Sequence, residues 1–170
     1  FMQGRVPILL NAQICREFYS AYLYLKMSIY YADEGLDGFA SWFRIQAQEE
    51  RDHALLFIDY MQQNEMEISL KSIDEPSGEF TSFSSPLLLT LQHEKFVTQK
   101  INEIYAAAEQ EQDFRTTQFL DWFVSEQAEE EATATDLIKR MKLFGDGMSL
   151  YMMDAEMKTR VYTPPTLALG

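Results

Sequence analysis

Gln48-Glu49-Glu50-Arg51-Asp52-His53 is the stretch on which the reading of this chain turns. It sets a carboxylate and an imidazole three residues apart, Glu50 and His53. On a helix that spacing stacks the two side chains on one face. A carboxylate and an imidazole converging in this way can bind one transition metal. Taken alone, charged residues at i, i+3 are more often a solvated face. The pair gains meaning because three other segments each offer a carboxylate or an amide at a matching depth: Glu17, Glu94 and the Gln127/Glu130 pair.

Working outward, the stretch lies in the middle of a helix expected over residues 37–64. Phe39, Trp42, Phe43, Leu56, Phe57 and Tyr60 recur along it, and Asp37 is placed to cap its start. Before it, residues 7–34 hold Leu10, Ile14, Glu17, Ala21, Tyr24 and Ser28 at three-to-four spacing. Pro7 suits that helix's first turn, and Gly35 suits a left-handed C-terminal cap. A second apolar stripe on this first helix, Phe18, Tyr22, Leu25 and Ile29, calls for a second partner, such as a neighbouring subunit. The short turn between the two helices predicts an antiparallel hairpin.

Residues 65–85 lack helical periodicity. They are too broken for a helix and too apolar for disorder, and a loop of that length usually has a task. Carrying the chain from one end of a bundle to the other is the simplest. Ser84 and Pro86 then open a third helix, 86–112, with Leu87, Thr90, Leu91, Glu94, Val97, Ile101 and Tyr105 on its inner face. Asp113 caps a fourth, 114–144, whose inner face reads Phe119, Leu120, Phe123, Gln127, Glu130, Ala134, Leu137 and Met141. Gly145 and Gly147 break it, and a short fifth helix is expected over 147–161. Residues 1–6 read as a frayed start and 162–170 as a loose tail. The sum is an all-α fold in one domain of 170 residues: an up-down-down-up four-helix bundle with a long crossover between helices two and three and a short fifth helix.

Composition removes several function classes. Net charge is −13, so a nucleic-acid partner, which needs clustered Lys and Arg, is not expected. The single cysteine, Cys15, excludes an intrachain disulfide and a four-cysteine metal site. No run of 18 apolar residues suggests a membrane partner, and no secretory leader is evident, so a soluble, cytoplasmic protein is expected.

In the expected topology the polar residues that interrupt the inner faces share one level. Glu17 lies about ten residues into helix one, Glu94 in the first third of helix three, and the others mid-helix. Several unpaired carboxylates in an apolar core cost several kcal/mol each. Only 14 Lys and Arg exist, few on inner faces, which leaves metal cations as the compensation. Four carboxylates, one imidazole and one amide suit two iron or manganese ions with Glu50 bridging.

Those residues carry a resemblance. REFYSAYLY in helix one, AQEERDH in helix two, HEKF in helix three and FVSEQAEEE in helix four resemble the bacterial non-haem ferritins, across all four main helices and the fifth. The resemblance implies that Glu17, Glu50 and His53 hold one iron, and that Glu50, Glu94 and Glu130, with Gln127 beside them, hold a second. It implies a nearby third site at Glu49, Glu126, Glu129 and Glu130. Tyr24 and Trp122 match aromatic residues that stand close to such a centre and can supply an electron. The implied function is iron storage: Fe(II) is oxidised by dioxygen or peroxide, and ferric oxide is deposited inside a hollow homo-oligomer of twenty-four subunits. Two departures matter. Helix four offers Gln-x-x-Glu where bacterioferritins repeat Glu-x-x-His. Asp52 stands where those proteins place a haem-ligating methionine, so no haem is expected.

Each residue also has a plainer reading. Glu17 and Glu94 sit in apolar stripes, which favours the ligand role. Gln127 serves as well as a hydrogen-bonding residue. A run of acids such as Glu126, Glu129 and Glu131 is ordinarily a solvated face. Tyr24 is an ordinary core residue by spacing alone, and His93 is expected at the surface. The alternative function is a di-iron oxidase or oxygenase for an organic substrate, which needs an apolar pocket beside the metals.

Overall fold

The computed structural model describes residues 4–145, 147–167 and 169. Five helices follow in order: α1 (Arg5–Asp33), α2 (Asp37–Gln63), α3 (Ser85–Gln110), α4 (Phe114–Phe144) and α5 (Met148–Met157). No strand occurs among the described residues, and none of their helices is long and apolar enough to cross a membrane. The first four helices, 26 to 31 residues each, are about 40 Å long at 1.5 Å per residue.

α1 and α2 form one hairpin, and α3 and α4 the other. Cross-contacts fix the direction of each. Tyr31 and Tyr24 of α1 reach Phe83 and Glu94, so α3 runs antiparallel to α1. Gln46 and Tyr60 of α2 reach Glu130 and Thr116, so α4 runs antiparallel to α2. This is the expected up-down-down-up bundle.

Local chemistry sets the ends. Gly35 takes φ +82°, a left-handed conformation that relieves the last turn of α1. Asp113 caps α4 by accepting from the Thr116 N–H at 3.2 Å. Asp37 does not cap α2. The cap position is Leu36, whose side chain is buried among Tyr31, Phe39 and Leu150, so apolar burial takes the place of a polar cap. Gly38 is required for another reason. A Cβ there would stand 1.8 Å from the Asp154 carbonyl oxygen, because α5 packs directly on the start of α2.

The crossover follows α1 along its length, pinned about every two turns. Asn11 donates to the Glu67 carbonyl and accepts from the Ser69 N–H, both at 2.9 Å. Tyr19 meets Ser77, Lys26 donates to the Pro76 and Gly78 carbonyls, and Tyr31 donates to the Phe83 carbonyl. Part of the tail expected to be loose is also held. Tyr162 donates to Asp52, Thr166 accepts from Trp122 Nε1, and Leu167 and Leu169 lie against the core. Point contacts of this kind leave no periodic trace in a sequence. Part of the expected frayed start (1–3) and part of the tail (168 and 170) lie outside the described residues.

The apolar core is in two halves. One gathers Leu23, Met27, Tyr31, Phe39, Phe43 and Met153. The other gathers Leu10, Ile14, Phe57, Ile101, Phe119 and Phe123. Between them, at mid-bundle, lies a layer of buried polar side chains.

Candidate metal centre

Each of the four long helices sends ionisable or amide groups into that layer: Glu17 from α1, Glu50 and His53 from α2, Glu94 from α3, Gln127 and Glu130 from α4. Glu17, Glu50, His53, Glu94 and Gln127 are 0–2 % exposed, and Glu130 is partly buried. Helical periodicity alone brings Glu50 and His53 to one side of α2. Glu17 and Glu94 meet them because α1 and α3 cross at this level.

Among the described residues three sets of ligand atoms converge, each within 4.8 Å: Glu17, Glu50 and His53; Glu50, Glu94 and Glu130; and Glu49, Glu126 and Glu130. Glu50 belongs to the first two sets and Glu130 to the last two. Glu129 is in none of them. It is exposed and lines the recess next to the third set. Glu131 faces elsewhere and accepts from Thr98 Oγ1 at 2.6 Å.

The first set is incomplete as a hydrogen-bonded unit. His53 Nδ1 stands 3.4 Å from Glu50 Oε2 and 3.8 Å from Glu17 Oε2. Neither His53 Nδ1 nor Glu17 Oε2, both buried, has a hydrogen-bond partner. Buried polar atoms are rarely left so, because each costs on the order of 1–3 kcal/mol. The orphans are a carboxylate oxygen and an imidazole nitrogen facing one point, the donor set of a transition metal.

The ionisation states follow from burial. Burial raises the Glu50 carboxyl well above its usual range, and the neighbouring Glu94 raises it further. Burial lifts Glu94 to about 7 against the opposing hydrogen bonds from Tyr24 and Gln127. Burial and Glu94 together lift Glu130 to about 8. Burial works against a charged His53, but the carboxylates of Glu50 and Glu17 outweigh it and hold that imidazole well above its ordinary value. Burial also raises Glu17, yet the adjacent His53 brings its net value below normal. Among the described residues the one group of the cluster that can carry positive charge is the His53 imidazole. Among the described residues no lysine or arginine pairs with Glu17, Glu50, Glu94 or Glu130.

Amides orient these carboxylates. Gln127 Nε2 donates to Glu94 Oε2 at 3.1 Å, and also to the Glu94 carbonyl and Thr98 Oγ1. Two more glutamines, not singled out in the sequence, do the same work. Buried Gln13 donates to Glu17 Oε1 at 3.1 Å. Buried Gln46 donates to Glu50 Oε1 at 3.1 Å and to Glu130 Oε2 at 2.8 Å. Their signal is Gln-x-x-x-Glu, a glutamine one turn before the ligand, present in both α1 and α2.

Tyr24 is fully buried and donates its hydroxyl to Glu94 Oε1. Burial and Glu94 hold its pKa well above 10, so it stays protonated. Trp122 packs edge-on to His53 at 5.5 Å and is tied by its indole N–H to Thr166. His93, expected at the surface, is buried. Its Nε2 is 2.7 Å from Ser20 Oγ, with Tyr19 and Tyr24 against the ring. α1 and the crossover cover this side of α3, so a residue one step off the inner face is still enclosed. Burial pushes His93 down to about 4, which leaves it neutral.

Residues 8–144 match the Ferritin-like domain family. The chain belongs to the ferritin family. It is 37 % identical over 158 residues to a bacterial non-heme ferritin of Campylobacter jejuni, covering 92 % of this chain and 95 % of that protein. It is 37 % identical over 151 residues to a bacterial non-heme ferritin of Escherichia coli, covering 88 % and 92 %. Among solved structures, one described as a humanized archaeal ferritin superposes with a TM-score of 0.93 at 39 % identity, covering 96 % of this chain and all of that one. An engineered closed form of the Archaeoglobus fulgidus ferritin gives 0.92 at 39 % identity with the same coverage.

Proposed function

We propose that this ferritin-family chain is the subunit of an iron store and oxidises Fe(II) before storing it. One observation carries the reading: two buried ligand atoms without a hydrogen bond, Glu17 Oε2 and His53 Nδ1, in a carboxylate-rich layer with no paired lysine or arginine among the described residues. In this reading one Fe(II) binds Glu17, Glu50 and His53, and a second binds Glu50, Glu94 and Glu130. Gln127 acts through Glu94. Each iron gives one electron to dioxygen, which takes up two protons and leaves as hydrogen peroxide. Where peroxide is the oxidant, its O–O bond takes both electrons and, with two protons, gives two waters. The hard carboxylate oxygens favour the ferric product, since trivalent iron binds them more strongly than divalent iron. Where dioxygen is reduced past peroxide toward water, Tyr24, bonded to Glu94, is placed to give one of the further electrons, its hydroxyl proton passing to Glu94.

Glu49, Glu126 and Glu130, with Glu129 at the rim, form a third holding place on the way to a ferric oxide mineral in a shell of twenty-four subunits. The exposed stripe of Tyr22, Leu25 and Ile29 on α1 supports subunit contact. The single unpaired cysteine suits a reducing cytoplasm. The recess of about 330 Å³ beside His53 sets Glu49, Glu126 and Glu129 against Trp122, Pro164 and Pro165, and its three carboxylates favour a cation over a wholly apolar organic substrate.

Glu50→Ala tests the centre, because Glu50 is shared by two ligand sets. Stopped-flow measurement of Fe(II) oxidation in air should show the fast phase slowed at least tenfold, in line with the loss of a metal-site group. The size of the assembled particle should stay the same. An unchanged fast phase would sink the assignment.

A further inference from the structure

Arg160 is, among the described residues, the one cation lining a recess of about 290 Å³ that Glu49, Glu126, Glu129 and Glu130 face from α2 and α4. It lies just beyond α5 and is held at three points. Nη2 donates to Glu49 Oε2 at 2.9 Å, and Nη1 donates to the Trp42 carbonyl at 3.2 Å. The guanidinium carbon lies 4.2 Å from the centre of the Trp42 ring. Both ends of the ion pair are largely enclosed, with the Arg160 and Glu49 side chains 20 % and 16 % exposed. A planar guanidinium stacked on an indole and bonded to a carboxylate is preorganised, unlike a mobile surface pair.

This gives the three ligand sets different characters. The set of Glu17, Glu50 and His53 has no lysine or arginine among the described residues and carries two buried atoms without a hydrogen bond. The outer set of Glu49, Glu126 and Glu130 already has a positive group bonded to Glu49. A guanidinium keeps its charge at any ordinary pH and has no lone pair to offer an ion. It therefore repels an arriving divalent cation and occupies one of the two Glu49 oxygens.

We propose that Arg160 is a tethered counter-cation of the outer cluster, which a divalent ion must displace to settle there. The outer cluster is thereby kept weaker than the two buried sets, so that an ion reaching it is passed on. This rests on the storage reading above. Arg160 is a positioning residue: it acts through Glu49 and touches no iron.

The test is anaerobic calorimetric titration of the metal-free, full-length protein with Zn(II), a redox-inert probe. The wild-type protein should show two tight sites per subunit and a weaker third. In Arg160→Gln the third should tighten roughly five- to tenfold, the low end of coupling between two sites, with the first two unchanged. Arg160→Lys, which keeps the charge, should bring the third affinity back toward the wild-type value; a loosened tail alone would not predict that rescue. A third affinity in Arg160→Gln equal to or below that of the wild type overturns the proposal, as does the absence of a third site from both proteins. Failure of the two tight sites to fill in the wild type has a separate meaning: it removes the metal reading itself and this proposal with it.

Discussion

Glu94 and Glu130 hold protons that their solvated counterparts would have released, and this gives the metal-free protein a pH dependence of known sign. A carboxyl whose folded pKa is raised binds protons more readily folded than unfolded. Its stabilising contribution is complete below about 4.5 and is lost as the pH climbs through about 7 for Glu94 and about 8 for Glu130. His53, also raised, adds to this slope, whereas Glu17, lowered, is ionised in both states over this range and acts only in acid. In chelator the protein should therefore melt at a lower temperature at pH 8 than at pH 6, as followed by circular dichroism. Glu94→Gln should flatten that slope, and Zn(II) should reverse it by binding the deprotonated forms. Equal melting points at the two pH values in chelator would count against a charge-starved centre. At this scale the ligand candidates were legible in the sequence, because Glu17, Glu50, His53 and Glu94 interrupt apolar stripes. The amides of Gln13 and Gln46 were not, since a glutamine on an inner face looks the same whether it bonds a carboxylate or the backbone. His93 was misplaced because periodicity marks the centre of a helix face and not how far a neighbouring element overlaps its edge.

The helices themselves were readable from three-to-four spacing and from their terminators, and α1 to α4 begin and end within about two residues of the expected positions. The expected length of α5 failed: the helix stops at Met157, and Lys158 to Arg160 turn away toward the α2–α4 seam. No local pattern encodes that turn, which depends on Trp42 and Glu49 far away in sequence. The contact between α5 and α2 gives a prediction at this scale. Gly38→Ala puts a methyl group into the Asp154 backbone, which cannot swing aside as a flexible side chain would. It should cost about 1–3 kcal/mol, typical of overpacking, and should lower the denaturant midpoint without changing the slope. A midpoint within error of the wild type would show that α5 is free to lift away. The hydrogen bond from the Phe39 N–H to Asp154 Oδ1 would then be dispensable.

For the whole molecule the exposed side of α1 is the telling surface. Tyr22 is 53 % exposed and Ile29 62 %, and Leu25 lies between them one turn from each. Together they leave a continuous apolar stripe on a helix whose other side is already buried, which a lone subunit would not be expected to carry. Ile29→Glu should place a charge in that contact. Light scattering coupled to size exclusion should then find small species in place of a large particle, with helical content retained. A wild-type protein that elutes as a monomer would remove the shell from the reading.

In the proposed storage reading, the shared membership of Glu50 and Glu130 has a consequence for iron passing through the bundle. Neighbouring ligand sets that hold a residue in common act as rungs with a common rail. An ion stepping from one set to the next can exchange its donors singly and keep one bond throughout. The crossing then avoids the steep cost of stripping a cation bare inside a low-dielectric medium, and the direction of travel is left to the gradient between the dry interior and the wetter outer recess.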